Sequence, residues 1–249
     1  GFPTEGTDAK AQAHKEFSML IPSLNDSDQL TCANASWLGQ DLPVVPAFKE
    51  ILNTVYRSEF FHVDFCQSQS ATKKINDWCA QKTKGRIKDV IAKTTCSLRL
   101  VLVNAIYFKA KWQIPFSKEL TEKKAFFIDD NLSVEADMMG IQDKYLYAET
   151  PSFQVLEMPY EKDRFSMIAF LPKLKNSKLV LERLGAGQDP QLWQEIMEGL
   201  NALRKEEVII QFPKFEFYND WENIVDQLKS LGMTTPFTSA ADFSGISKE

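Results

Sequence analysis

Histidine and cysteine are scarce in this chain of 249 residues: two of the first, His14 and His62, and four of the second, Cys32, Cys66, Cys79 and Cys96. No cysteines form a C-x-x-C pair, so with two imidazoles in all a metal centre is not expected. Four cysteines over this length are too few for a disulfide-dependent scaffold; they are expected free or joined in one bridge. Hydrolysis needs an activated nucleophile, usually beside a histidine base. There is no G-x-S-x-G elbow, and Cys66 near His62 has no third orienting partner that spacing reveals. Neither G-x-G-x-x-G nor G-x-x-x-x-G-K occurs, which leaves no loop to cradle a phosphate. Carboxylates are plentiful but scattered. The expectation is therefore no enzyme and no cofactor. A formal net charge of −5 and a pI near 5.3 argue against nucleic acid or an anionic membrane as a partner. Arg99 and Lys109 bracket the longest apolar run, so it is no membrane span. Repeats, low-complexity tracts and obvious linkers are missing too. The chain opens on Gly1 rather than Met with no signal-peptide pattern after it, as expected of a processed or excised polypeptide.

What is present has the balance of a soluble globular protein, 44% hydrophobic and 25% charged, long enough for one or two domains. The stretch Leu98–Trp112, LRLVLVNAIYFKAKW, is rich in β-branched and aromatic residues and shows no apolar/polar alternation. It predicts a central strand of a large sheet with both faces covered. Asn104 lies in its middle among apolar neighbours. A buried amide left without partners costs about 1–3 kcal/mol, so it must bond to something beside the strand. It is either a satisfied polar group in the core or a latch where the sheet opens.

Gln12–Leu24 predicts a helix ending near Pro22, followed by the sequon Asn25-Asp26-Ser27 in a polar turn that can accommodate a glycan. Leu30–Leu38 predicts a strand. It holds a second sequon at Asn34, where burial favours a structural asparagine over a glycosylated one. A third, at Asn131, follows a predicted hairpin turn, Asp129-Asp130-Asn131. Pro46 opens a helix, Phe60–Phe65 is a short strand, and Ala71–Lys84 is an amphipathic helix with Ile75, Trp78 and Cys79 on one side. Arg86–Lys93 adds a basic turn or short helix. Phe153–Tyr160 and Phe165–Pro172 read as paired strands joined by a charged turn at 161–164. A helix over Leu179–Leu184 ends at Gly185. Asp189 caps a helix Pro190–Leu203 with Leu192, Trp193, Ile196, Met197, Leu200 and Leu203 on its apolar side. Glu207–Tyr218 is a long strand broken or made an edge by Pro213, and Asn219-x-x-Glu222 opens a last helix. Strands and helices mix without βαβ alternation, which predicts an α+β fold.

These segments, in this order, resemble the serpins. The resemblance is carried by ANASWL at 33–38, VDF at 63–65, INDWCAQKTKGRIKDVI at 75–91, LVLVNAIYFKAKWQIPF at 100–116 and Met138-Met139. VLEMPY at 155–160, SMIAFLPK at 166–173, FPKF at 212–215 and LGMTTPF with ADFSGIS near the end complete it. It implies a mixed fold with a large central sheet, two smaller sheets and surrounding helices. It implies that Leu98–Ala110 is the third strand of the sheet and Ala71–Lys84 the helix crossing its face. Asn104 then resembles the shutter asparagine, and Trp112 the tryptophan at the top where the sheet opens. The implied partners are serine (or cysteine) proteases, trapped as acyl-enzymes while a cleaved reactive loop inserts as a new strand. The helix that is basic in heparin-binding members corresponds to Gln12–Leu24, whose one lysine is Lys15. Against the family pattern the chain is expected to be a partial single domain, 1–249, without the first helices, the hinge and the reactive loop, and itself unable to trap a protease. A non-inhibitory binding or immunomodulatory role is the alternative. A sheet lacking a neighbour exposes a flat apolar edge, which predicts rearrangement, self-pairing or a homodimer. The sequons at Asn25 and Asn131 favour secretion; free cysteines suit the cytoplasm instead.

Overall fold

A computed structural model describes residues 7–128, 132–173, 180, 182–184, 189–217 and 223–248. It is an α+β protein whose contacts gather into two compact units, Gly1–Lys109 with Trp221–Glu249, and Ala110–Asp220.

In the first unit, helix α1 (Thr7–Asn25) leads into strand β1 (Leu30–Gly39). Helix α1 continues through Pro22, expected near its end, to Asn25. Proline there costs one backbone bond close to a terminus, which a helix tolerates better than in its middle. Helix α2 (Pro46–Thr54) precedes strand β2 (Ser58–Val63), and helix α3 (Ser68–Lys82) precedes strand β3 (Leu100–Phe108). The strands form one sheet in the order β2-β1-β3, with β1 parallel to β2 and antiparallel to β3. Strand alternation sends Ala35, Trp37, Val101, Val103 and Ala105 to one face. There they meet Ala71, Ile75, Trp78 and Cys79 of α3. Trp37 stacks on Phe61 of β2, ring centres 4.2 Å apart.

The middle strand is thus β1, not the apolar run at 98–112. Among the described residues β3 is an outer strand, and its second face carries Leu102, Ile106 and Phe108 at 57%, 58% and 41% exposure. An unbroken apolar run shows that neither face is polar; it does not show that both are covered. The run also divides, with β3 ending at Phe108 and Ala110–Trp112 belonging to the second unit.

Beyond α3 the chain turns at Lys84 and Gly85, both at positive φ (50° and 78°). Of the turn or short helix expected over 86–93, no helix forms. Side chains of α3 hold that segment instead. The Ile91 N–H donates to Asn76 Oδ1 at 3.1 Å while Asn76 Nδ2 donates to the Ile91 carbonyl at 3.0 Å, and the Ile87 N–H donates to Thr83 Oγ1 at 3.0 Å.

The second unit is an antiparallel sheet of five strands. These are β4 (Thr121–Phe127), β5 (Ser133–Glu149), β6 (Phe153–Pro159), β7 (Ser166–Pro172) and β8 (Arg204–Pro213). The 17-residue β5 organises it: its first half pairs with β4 and its last residues with β6 along one edge, while β8 pairs with Met138–Tyr147 on the other. Helix α4 (Pro190–Asn201) packs Leu192 and Ile196 on Phe153, Val155 and Ala148. Its N-cap is Asp189, whose Oδ1 accepts from the Leu192 N–H at 2.9 Å. The buried stripe is narrower than expected: Leu192, Ile196 and Gly199 are covered, while Trp193 and Met197 are 50% and 55% exposed. The strand expected at 207–218 runs over 204–213, and Phe215 and Phe217 continue past Pro213 as stacked, exposed rings. In the first unit, a short helix α5 (Val225–Ser230) ends at Gly232 with φ 97°. The turn Asp129-Asp130-Asn131 with its sequon asparagine, and the capping pair Asn219 and Glu222, lie outside the described residues. So do Leu179 and Gly185, the ends of the helix expected over 179–184.

Candidate functional site

Antiparallel register sets Asn104 of β3 directly opposite Asn34 of β1, with their side chains on the same face. Asn104 Nδ2 donates to Asn34 Oδ1 at 2.9 Å and to the Ala33 carbonyl at 3.3 Å, and lies 3.7 Å from Cys32 Sγ. Asn34 passes the chain of bonds on: its Nδ2 donates to the Tyr56 carbonyl just before β2, at 2.7 Å. One register step away, the hydroxyls of Ser36 and Ser58 share a bond of 2.8 Å. A polar row therefore crosses all three strands, running across them alongside the backbone ladder. It ties the strands together side chain to side chain.

Asn104, expected to be buried, is exposed. It shares the open face of β3 with Leu102 and Ile106, and alternation gives it no choice of side. Its bonding partner was not legible as such. Strand context makes Asn34 structural in the sequence, but only the register of β1 and β3 shows that the two amides meet.

Trp112 lies in the second unit. Its ring stacks on Tyr160 at 4.6 Å and 11° and meets the Phe116 ring edge-on at 6.1 Å. An isolated bridge pairs the two backbones, Trp112 with Tyr160. The Gln113 N–H donates to the Pro159 carbonyl at 3.0 Å and the Glu161 N–H to the Lys111 carbonyl at 2.8 Å. The indole packs against the cluster of Tyr145, Met158 and Ile210, where burial pushes the Tyr160 phenol above its ordinary pKa.

Asn25 is the exposed last residue of α1 rather than part of a following turn. Its amide is engaged with the Cys32 backbone in both directions, Nδ2 to the carbonyl at 2.8 Å and N–H to Oδ1 at 2.7 Å, which pins the end of α1 to β1. His14 meets the Tyr56 ring edge-on at 6.1 Å, and His62 is exposed on β2. Cys66, the thiol nearest His62 in sequence, is bonded to Cys96, while Cys32 and Cys79 are free. Among the described residues no group of three or more His, Cys, Asp or Glu is placed to hold a metal ion. No helix among them is long and apolar enough to cross a membrane.

Comparison with known proteins agrees with this architecture. Residues 2–249 match the family model for serpin (serine protease inhibitor). Human alpha-1-antichymotrypsin is 33% identical over 249 residues, covering 96% of this chain and 56% of that protein. The solved structure "Cleaved Serpin 42Da" superposes with a TM-score of 0.87 at 26% identity, over 100% of this chain and 70% of that one. Thyroxine-binding globulin complexed with a thyroxine–fluorescein compound superposes at 0.81 with 28% identity, over 96% and 70%. The chain spans a little over half the length of the curated relatives it matches. With a family model matched from residue 2 to residue 249 and solved serpins superposing on this fold, the chain belongs to the serpin family.

Proposed function

We propose that the protein carrying this chain inhibits serine-type (or cysteine) endopeptidases by offering a reactive loop as bait and taking up the cleaved loop as an added strand. The observation that carries this reading is the match of residues 2–249 to the serpin family model. Within the fold, β3 is an outer strand among the described residues, and one of its own side chains, Asn104, clamps it to β1. In strand addition the new strand gains both the ladder bonds and a face to cover. The work is mechanical, so the protein acts as an inhibitor and not as a catalyst. The test is to incubate the natural protein with trypsin-like and chymotrypsin-like proteases and run the mixture on a denaturing gel. A band at the summed mass that survives SDS is the expected result; cleavage without any such band across serine and cysteine proteases overturns the reading.

The likeness to thyroxine-binding globulin favours a second reading, a serpin body that binds a partner without trapping a protease. The same gel separates the two. The outer edge that β3 has among the described residues also fits a second copy of this chain, and self-association is part of the proposal. The Cys66–Cys96 disulfide supports a secreted protein, since such bonds persist in oxidising compartments.

A further inference from the structure

Cys66 and Cys96 stand 30 residues apart and close a lobule made of α3 and the irregular segment that returns to β3. The lobule is knit internally by the Asn76–Ile91 and Thr83–Ile87 bonds described above. At the disulfide end, the buried hydroxyl of Thr94 donates to the Phe65 carbonyl at 3.0 Å, and Ser68 Oγ donates to the Thr94 carbonyl at 2.7 Å. Both bonded cysteines are exposed, within reach of a soluble thiol. The other end of the lobule meets β3. Thr83, Arg86 and Ile87 line a cleft of about 390 Å³ together with Ile106, Tyr107, Phe108 and Lys109, and the Lys84 ammonium lies 4.8 Å from the centre of the Tyr107 ring. A strand pairing along the whole of β3 passes this corner. The lobule has to yield there, and the disulfide holds its opposite end.

We propose that the Cys66–Cys96 disulfide is a redox latch on this lobule: oxidised, it holds α3 down on the sheet and narrows access to the end of β3; reduced, it lets the lobule lift. The reductant is a low-molecular-weight thiol. Its thiolate attacks one sulfur, forming a mixed disulfide and releasing the other cysteine as a thiolate. A second thiol then resolves the mixed disulfide, leaving two cysteine thiols and one molecule of oxidised reductant. The latch rests on the geometry of the lobule alone; its consequence for protease trapping rests on the strand-addition reading above.

The structure supplies its own reporter. Cys79 is 1% exposed on the underside of α3, among Ala35, Trp37 and Ala105, and reacts only when α3 lifts. In Cys32→Ser and in Cys32→Ser/Cys66→Ser/Cys96→Ser proteins Cys79 is the single free thiol of this chain. Its alkylation by N-ethylmaleimide, followed by mass spectrometry at one pH, compares latched with unlatched protein directly. The expected result is alkylation at least about tenfold faster without the latch, as for a local opening freed of its tether. Amide exchange in α3 should rise with it while β6 and β7 keep their protection. Equal alkylation rates in the two proteins overturn the proposal, as does exchange that rises equally in α3, β6 and β7. Should the triple variant fail to fold, the same exchange comparison is made on dithiothreitol-reduced wild-type protein, with the same two outcomes. The denaturing-gel assay is independent of these readouts, so failure of the latch and failure of the inhibitor reading are told apart.

Discussion

The amide of Asn34 does more than that of Asn104, although the shutter resemblance points to the second. Asn34 is half-buried on the middle strand and bonds in two directions, to Asn104 and to the Tyr56 carbonyl. Removing it takes the side-chain donor from the Tyr56 carbonyl and the nearer acceptor from Asn104, which keeps its longer bond to the Ala33 carbonyl. Asn104 is exposed, so water replaces what its removal takes away. Net hydrogen bonds are worth about 1 kcal/mol each and orphaned groups cost more. Asn34→Ala is therefore expected to lose about 2 kcal/mol and Asn104→Ala about 1 kcal/mol in urea unfolding followed by circular dichroism. The reverse order would mean that the polar row is anchored on β3 rather than β1. A residue's chemistry is read directly from the sequence. Its partner is not, because Asn34 and Asn104 are 70 residues apart and only the strand register brings them together.

Among the elements, α4 shows how a pattern is read correctly in kind and too broadly in width. Its N-cap, its proline and its length were legible, because Asp189 and Pro190 act within one turn. Which residues face the sheet was not, because that depends on how closely the helix approaches β6. Gly199 sets the approach: a Cβ built there lies 3.0 Å from Cγ2 of Thr150 and 3.0 Å from Cγ2 of Val155. The helix rolls onto the stripe 192-196-199, and Trp193 and Met197 are carried outward. In Gly199→Ala, a helix-propensity gain of about 1 kcal/mol meets an overpacking cost of about 1–3 kcal/mol. Both listening methyls belong to β-branched side chains with little rotamer freedom, so the clash wins. A net loss of about 1 kcal/mol in urea unfolding is expected; a gain would show that β6 gives way.

For this chain, charge and the outer position of β3 among the described residues act together. At pH 7 the chain carries a formal charge of −5, and copies repel one another; near the pI of about 5.3 that repulsion is gone. Pairing through β3 should therefore strengthen as the pH is lowered from about 7 toward the pI, and Ile106→Lys on the open face should weaken it at every pH. Sedimentation velocity across that range checks both, and association insensitive to the substitution would place the contact elsewhere. The sequence by itself determined the α+β class, the family, the helix across the sheet and the presence, though not the exact ends, of many of its helices and strands, because periodicity, caps and turn residues act over a few neighbours. Only the tertiary structure decided that β1 and not β3 is the middle strand, that two distant asparagines share a bond, and that Cys66 pairs with Cys96. Each of those depends on which segments lie side by side, and such long-range pairing leaves no mark on the local order of residues.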